Sequence, residues 1–243
     1  MNTIDAEKLH YRELNEEVRR YAEEGGERIV IENVCGQRFI GAGLQTQVCL
    51  EVSGVAGNDL GAFMGAGEIV VRGDAQDGCG NTMNGGRIVV HGNAGDIVGH
   101  SMLGGEIYVK GNVGYRVGIH MKAYRDHFPV IVVGGSSGAF LGEYQAGGLI
   151  IVLGLAGTLF LDPFYIGTGM HGGRIILRGS VRPDQTGVEV SVKDLDNEDR
   201  QLLEKYVRNF CEFFGESPDA VLKSEFHTIA PHTHRPYGKI YAY

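Results

Sequence analysis

The sequence predicts an all-β solenoid: a parallel β-helix with flanking N- and C-terminal α-helices. Two observations predict this fold. Glycine accounts for 39 of the 243 residues, and the chain repeats with a short period. The glycines that close four successive repeats, at positions 54, 73, 92 and 111, are separated by 19, 19 and 19 residues. A repeat of this kind is typical of a coil that stacks on copies of itself.

Each repeat contains a short apolar segment that predicts a β-strand. In residues 69–71, 88–90 and 107–109 β-branched residues recur between bounding glycines, which is the pattern of a strand. The rest of each repeat has no helical periodicity, so we expect coils of two or three short strands joined by tight turns. Stacking predicts interior columns of Ile69, Ile88 and Ile107, of Val71, Val90 and Val109, and of Met64, Met83, Met102, Met121 and Met170.

A second glycine pattern lies inside the period. Its spacing, G-x-x-G-x-x-x-G, is complete at Gly92, Gly95 and Gly99, among other places. Glycine adopts positive φ without steric cost, so these positions predict corners of the coil. Changing Gly95 or Gly114 to Val is therefore expected to destabilise the fold by about 1–2 kcal/mol, because a Cβ would be forced into a positive-φ corner.

The two ends of the chain predict helices. Residues 5–24 predict a helix capped by Asp5, and residues 197–214 predict another, with Asp196 at its N-cap and Gly215 after its end. We treat residues 1–243 as a single domain. It comprises an N-terminal helix (1–27), a β-helix of about seven coils (28–182), a C-terminal helical region (183–223) and an extended tail (224–243). Helices are expected to cover the open ends of a solenoid.

Composition argues against several classes of protein. The formal net charge is −8, which is unfavourable for a nucleic-acid surface. No long apolar run predicts a membrane span, and the N-terminal residues do not resemble a secretion signal, so we expect a cytoplasmic protein. The four cysteines show no C-x-x-C spacing and are expected to be buried thiols.

Few residues suggest chemistry. Gly167, Gly169 and Gly172 match G-x-G-x-x-G, but a strand rather than a helix is predicted after them, which argues against dinucleotide binding. His232 and His234, with His227 nearby, form a weak candidate metal site, and solvated or partner-facing histidines are the favoured interpretation. We therefore expect no catalytic, cofactor-binding or metal-binding residue in this chain.

Two surface features are candidate contact sites. Arg72, His91, Lys110 and Arg178 occupy equivalent strand positions. They form either a column that attracts an acidic partner or, the favoured alternative, a solvated face. Residues 122–129 interrupt the repeat with a polar, aromatic loop, which is equally consistent with a contact site and with a harmless bulge.

The repeated spacing, with the segment M-x-G-G-[RE]-I, resembles the C-terminal glycine-repeat (GXGXG) domain of the glutamate synthase large subunit. The beginning at Asn2-Thr3 and the segment 226–241 resemble the edges of that domain. The resemblance implies a right-handed β-helix that holds glutaminase and FMN-binding synthase domains together. It also implies that the catalytic cysteine, the FMN and the iron–sulfur cluster lie on those other domains.

The resemblance leads to the expectation of a non-catalytic structural subunit in a split glutamate synthase-type complex, encoded separately from its catalytic partners. It would dock glutaminase and FMN-binding subunits, with FMN and iron–sulfur on those partners. Three alternatives remain open: a scaffold like the glycine-repeat subunit of formylmethanofuran dehydrogenase, which shares the repeat; an N-methylglutamate synthase subunit; and an autonomous carbohydrate-active β-helix. Self-association into a homo-oligomer is also left open.

Overall fold

The computed structural model describes residues 2–155 and 164–232. The strands are β1 Asn2–Asp5, β2 Arg28–Cys35, β3 Cys49–Val55, β4 Glu68–Val71, β5 Arg87–Val90, β6 Glu106–Val109, β7 Val130–Val133, β8 Ala146–Val152, β9 Gly172–Arg178, β10 Val190–Asp194 and β11 Phe226–Pro231. The helices are α1 Tyr11–Glu23, α2 Asn197–Phe214 and α3 Pro218–Leu222, with a 3₁₀ turn at Pro183–Gln185. The strands form one sheet in the order β1-β2-β3-β4-β5-β6-β7-β8-β9-β11-β10.

Strands β2 to β9 pair in parallel with their sequence neighbours, and the chain is a parallel β-solenoid of about six turns. The predicted all-β solenoid is confirmed, with a size close to the about seven coils expected. Within residues 2–155 and 164–232, each coil has one regular strand rather than two or three. The second side of the coils contains only single bridges in these ranges, such as Ala56–Ala75. The third side consists of turns whose alternate residues, such as 59, 61 and 63, have positive φ, which a strand does not accommodate.

The interior is built from columns of equivalent residues. Ile69 pairs with Ile88 and Ile88 with Ile107 in the register of the sheet, and all three side chains are fully buried. The five methionines of the predicted column are fully buried in the same core. Strands at about 4.8 Å spacing place identical branched side chains in contact. The predicted interior columns are confirmed.

One polar residue interrupts the methionine column. Gln145 is fully buried and occupies the turn position that Met121 and Met170 hold in the neighbouring coils. Its Nε2 donates to the carbonyl oxygens of Gly147 and Gly148 at 3.2 Å each. Its Oε1 has no hydrogen-bond partner among the residues that the structure describes. A buried acceptor without a donor costs about 1–3 kcal/mol.

Gln145→Met is therefore expected to raise the free energy of unfolding by about 1 kcal/mol, because the unpaired acceptor is removed and the apolar column is continued. Urea denaturation of the purified chain measures the change. The reciprocal variant Met102→Gln is the matched control and should be destabilised. A less stable Gln145→Met protein would contradict this account, because the two hydrogen bonds of Nε2 would then outweigh the unpaired Oε1.

The glycines of the G-x-x-G-x-x-x-G motif have different tasks. Gly99 has φ +66°, and a Cβ there would collide with the Ile131 side chain of the next coil. Gly95 and Gly114 do not have positive φ, so the predicted reason for their identity is wrong. A Cβ at these positions would collide with the Asp77 and Asp96 carboxylates, respectively. They are glycine because an aspartate of the preceding coil lies over them.

Those aspartates belong to side-chain ladders that connect coils. Asp77 Oδ1 accepts a hydrogen bond from the Asp96 amide at 2.9 Å, and Asp96 Oδ1 accepts one from the Tyr115 amide at 2.8 Å. A second ladder of the same kind comprises Asp74, Asn93, Asn112 and Ser136. The ladders satisfy backbone amides at corners where the sheet provides no partner.

The N-terminal helix begins later than predicted. Residues 2–5 form β1, parallel to β2, because Ile4 inserts its buried side chain into the interior cluster. Asp5 is therefore not the cap. His10 is the N-cap, and it forms a capping box with Glu13. Leu14, Val18 and Ala22 of α1 pack into the same cluster, so α1 covers the first coil as expected.

The second helix has the predicted bounds and an unexpected location. Asp196 accepts from the Asp199 amide at the N-cap, and Gly215 ends α2 with φ 71°. Val207 and Phe210, however, pack on outward-facing residues of the sheet such as Ile151. The expectation that α2 covers an end of the solenoid is therefore wrong, because strands β7 and β8 are apolar on both faces.

The last coil is closed by strands. Segment 226–231, predicted as an extended tail on a surface, is β11 and lies antiparallel between β9 and β10. The predicted helical region 183–223 likewise includes strand β10. Inserting β11 satisfies the hydrogen-bonding groups at the edge of β9. Residues 233–243 of the predicted tail lie outside the described residues.

Candidate functional site

The outward face of the first strands carries charges that pair with one another. Arg28 Nη2 lies 2.6 Å and Arg72 Nη2 3.7 Å from Glu51 Oε1, and Arg87 Nε lies 2.7 Å from Glu68 Oε1. Partly exposed pairs of this type contribute about 0–1 kcal/mol each. Because its charges are compensated within the chain, this face has the character of a solvated surface.

The thiol on this face is not activated. Cys49 Sγ lies 3.9 Å from Glu68 Oε2. Partial burial, followed by the charges of Glu68 and Glu51, raises the pKa of Cys49. A thiol with a raised pKa remains protonated at neutral pH and is a poor nucleophile. The location of Cys49 therefore does not support covalent catalysis.

The predicted cationic column is present in the register, and three of its members, Arg72, His91 and Arg178, contact groups of this chain. Arg72 Nη1 lies 2.8 Å from His91 Nε2, and the His91 ring meets Phe214 of α2 edge-on at 5.2 Å. Arg178 donates to Ser224 Oγ at 2.8 Å and to the Leu153 carbonyl oxygen at 3.2 Å. Its guanidinium thus braces the segment before β11 against the last coils.

The environment of His91 predicts a pH dependence. Burial, followed by the positive charges of Arg72 and Lys110, lowers the pKa of His91. An unfolded histidine has a pKa of about 6.5, so below that pH the unfolded chain binds the proton more readily and stability falls. The loss of melting temperature between pH 8 and pH 5.5 should therefore be smaller in His91→Gln than in the unsubstituted chain. Equal losses would contradict the assignment to His91.

The inserted loop folds back on the solenoid. Tyr124 and His127 exchange backbone hydrogen bonds of 3.1 and 3.0 Å, and His127 Nδ1 lies 3.0 Å from the Asn84 carbonyl oxygen. The loop thereby borders an open groove of about 720 Å³ that is lined by Glu27, Glu68, Arg87, Glu106 and Asp126, among others. The charged side chains that line the groove are mostly acidic, and the guanidinium group of Arg87 is already paired with Glu68.

The turn corner of the coils carries a relay of polar side chains. Asp59 Oδ1 accepts from Asn81 Nδ2 at 3.0 Å, Asn81 Oδ1 lies 3.1 Å from His100 Nδ1, and Ser101 Oγ lies 3.4 Å from His100 Nε2. A hydroxyl, an imidazole and an orienting amide in this order resemble an activated nucleophile. The Ser101 amide, however, donates to the Ile119 carbonyl oxygen at 2.8 Å and cannot stabilise an oxyanion. The relay instead connects adjacent coils.

Further along the same corner lies an aromatic cluster that sequence reasoning missed. Phe140 and Tyr165 stack at 5.0 Å, the Arg116 guanidinium lies 4.6 Å above the Phe140 ring, and Arg116 Nε lies 3.0 Å from Glu143 Oε2. Phe140 and Tyr165 have positive φ of 63° and 66°. The sequence contained one indication of this cluster. The position two residues before the corner glycine is aromatic in some repeats, as at Phe140 and Tyr165, and glycine in another, at Gly78.

A family model described as GXGXG motif matches residues 13–234 of the chain. The chain belongs to the GXGXG motif family. The GXGXG chain is 48% identical over 248 residues to the uncharacterized protein MJ1350 of Methanocaldococcus jannaschii, across 98% of this chain and 95% of that protein.

A solved structure shares the fold of this GXGXG chain. It is a chain of the formyltransferase/hydrolase complex (FhcABCD) from Methylorubrum extorquens, solved in complex with methylofuran. The two chains align with a TM-score of 0.63 at 21% identity, over 93% of this chain and 89% of that one. At this identity the likeness concerns the fold.

The structure of the GXGXG chain describes the remaining candidate residues Gly167, Gly169, His227 and His232. Gly167 and Gly169, each with φ +68°, lie in the corner before strand β9. His227 Nδ1 lies 2.9 Å from the Gly179 carbonyl oxygen, and the His232 amide donates to the Glu189 carbonyl oxygen; His234 lies outside the described residues.

Residues 2–155 and 164–232 contain neither a metal-ligand cluster nor a membrane-spanning helix. In these ranges, no group of three or more His, Cys, Asp or Glu side chains is arranged to hold a metal ion. The helices described there all fall short of the length and apolar character that crossing a membrane requires.

Proposed function

We propose that this chain is a non-catalytic structural subunit of a glutamate synthase-type complex, in which it docks glutaminase and FMN-binding synthase subunits. The observation that carries the proposal is the GXGXG match over residues 13–234, because the repeat resembles the C-terminal domain of the glutamate synthase large subunit. The alignment with the Methanocaldococcus jannaschii protein covers 95% of that protein's length, so the region shared with this chain accounts for nearly all of that relative. A protein made mostly of this repeat is expected to work by holding separate chains.

The physical character of the solenoid supports a scaffold. Its interior columns are packed with aliphatic side chains and methionines, and the ladders of Asp77 and Asp96 connect adjacent coils. The coils that these ladders join are therefore fixed to one another by side chains as well as by the sheet. A rod of this kind presents residues from successive coils at regular intervals, which suits a rigid platform for other subunits.

A second candidate is a scaffold in a formylmethanofuran dehydrogenase-type complex, in the position of that enzyme's glycine-repeat subunit. The fold shared with a chain of the formyltransferase/hydrolase complex favours it. An N-methylglutamate synthase subunit is a variant of the first candidate with the same scaffold role. The two classes differ in the cofactor that the partner subunits carry, and this difference decides the experiment.

The test is affinity purification of the tagged chain from its native cells, with identification of the co-eluting chains and an absorption spectrum of the eluate. We expect a glutaminase-type chain, a flavin spectrum that FMN analysis confirms, and glutamine-dependent formation of glutamate. Formation of N-methylglutamate instead of glutamate would identify the complex as an N-methylglutamate synthase. A co-eluting chain with molybdopterin would select the second candidate, and elution of the chain alone would contradict both.

A further inference from the structure

We propose that one corner of the solenoid is the docking surface for a partner subunit. The surface has an acidic half, Asp74, Asp77 and Asp96, and an aromatic half, Tyr115, Phe140, Phe164 and Tyr165. The partner it fits is a protein surface with lysine or arginine side chains facing the aspartates and apolar side chains packed on the rings. This inference rests on the proposed scaffold function and names the place where that function is carried out.

The two halves are continuous along one line of the corner. The backbone amides of Ile97, Arg116 and Phe140 donate to the carbonyl oxygens of residues 115, 139 and 164, respectively. Residues 77, 96, 115, 139 and 164 therefore stack one per coil. At about 4.8 Å per coil the line is about 20 Å long. Asp96 Oδ1 also accepts from the Tyr115 amide at 2.8 Å, which joins the acidic half directly to the aromatic half.

The aromatic half is unfavourable for the isolated chain. Phe164 is 41% and Tyr165 56% exposed. Phe140, Tyr144 and Tyr165 also have positive φ, a conformation that bulky L-residues adopt only at a cost in backbone energy. Some of the other coils have glycine at the equivalent corner positions, namely Gly43, Gly78 and Gly169, so the fold does not require a side chain there. A strained, exposed aromatic residue with no role in the core indicates a role outside it.

The acidic half specifies the charge of the partner. Asp74, Asp77 and Asp96 are exposed, and their Oδ1 atoms accept only from uncharged backbone or amide groups of the next coil. Within the described part of the chain, none of the three takes part in an ion pair, in contrast to the paired charges of the sheet face. Asp74 and Asp77 line a shallow groove of about 540 Å³. Unpaired carboxylates beside exposed rings favour basic side chains on the partner.

The chemistry of the aromatic half fits a protein. Tyrosine, phenylalanine and arginine are the residues that dominate the binding energy of protein interfaces. Arg116, held between the Phe140 ring and Glu143, is ordered before a partner arrives, which reduces the entropy lost on binding. The carboxylates would repel a nucleic acid.

The test compares variants in the native complex, purified through a tag on this chain. Phe164→Ser with Tyr165→Asn removes two rings, and asparagine tolerates positive φ. Asp77→Asn with Asp96→Asn removes two charges and keeps the ladder acceptors. Tyr124→Ser, in the inserted loop, is the matched control, because Tyr124 is similarly exposed at 49%. The co-purifying chains are identified by mass spectrometry and quantified per mole of the tagged chain at increasing salt.

We expect the Phe164→Ser, Tyr165→Asn variant to co-purify with at least tenfold less partner per mole of tagged chain than the unsubstituted chain does. We also expect the aspartate variant to release the partner at a lower salt concentration, and the control to behave as the unsubstituted chain. Full retention in both corner variants, or loss in Tyr124→Ser alone, would overturn the corner assignment and leave the scaffold function standing. If the unsubstituted chain elutes alone, the scaffold function and this inference fail together. If its only partner is a second copy, the assignment to a different subunit is overturned.

Discussion

Changing Gly67 to Ala is expected to lower the free energy of unfolding by about 2–5 kcal/mol. Gly67 has φ +84°, and a Cβ there would lie 2.6 Å from the carbonyl oxygens of both Thr46 and Val48. A left-handed conformation costs a residue other than glycine about 1–2 kcal/mol, and overpacking adds about 1–3 kcal/mol. The two oxygens belong to the backbone of the preceding coil, so they cannot rotate away as a side chain would.

Gly43→Ala is the matched control. Gly43 also has positive φ, +71°, but no atom lies within 4 Å of the position its Cβ would take. Only the cost of the left-handed backbone conformation remains, so we expect the free energy of unfolding to fall by about 1–2 kcal/mol. Guanidinium denaturation followed by circular dichroism measures both variants. Equal losses would mean that contact between coils does not determine which corner residues are glycine.

Phe210→Ala is expected to destabilise the protein by about 3–5 kcal/mol and to release α2 from the sheet. Phe210 is fully buried between α2 and the outward face of the strands, and its ring meets Phe214 at 4.7 Å. Its removal leaves a cavity in the cluster that attaches the helix. Arg208→Ala, on the exposed face of α2, removes only an ion pair with Glu204 and should cost about 0.3–0.5 kcal/mol.

Two buried cysteines distinguish release of α2 from unfolding of the whole chain. Cys211 lies on the buried face of α2, in the outer cluster, and Cys79 lies in the solenoid interior, where burial raises its pKa to about 12. In Phe210→Ala, a thiol reagent should modify Cys211 under native conditions and leave Cys79 unmodified, as mass spectrometry of the peptides would show. If both cysteines react at the same rate, α2 is not a separate layer.

Local patterns in the sequence were sufficient for much of the fold. The nineteen-residue spacing placed Ile69, Ile88 and Ile107 in one column, because a stack of identical coils puts equivalent residues in contact. The bounds of α2 followed from Asp196 and Gly215, because the groups that begin and end a helix are local. The strands of the repeats and the caps of α2 depend on residues that are near in sequence, and for this reason they were predicted.

The corner proposed as a docking surface was not predicted. Its parts, such as Asp77, Tyr115 and Phe164, are far apart in the sequence, and only the stacking of coils brings them onto one line. The exposure of Tyr115 and Phe164 and the positive φ of Phe140 and Tyr165 cannot be deduced from residue type, because aromatic residues are more often buried in a core. The sequence alone therefore gave no reason to predict a function for these residues.

The sequence by itself determined the repeat, the solenoid class, the interior columns and the bounds of α2, since each depends on a periodic or local pattern. Only the tertiary structure decided where α2 packs, that β11 enters the sheet, and why Gly95 and Gly114 are glycine. These features depend on which groups from distant coils meet. The packing of α2 on the sheet was indicated in the sequence. Residues 130–133 are apolar at every position, as expected of a strand that is covered on both faces. The element that covers the outward face is α2.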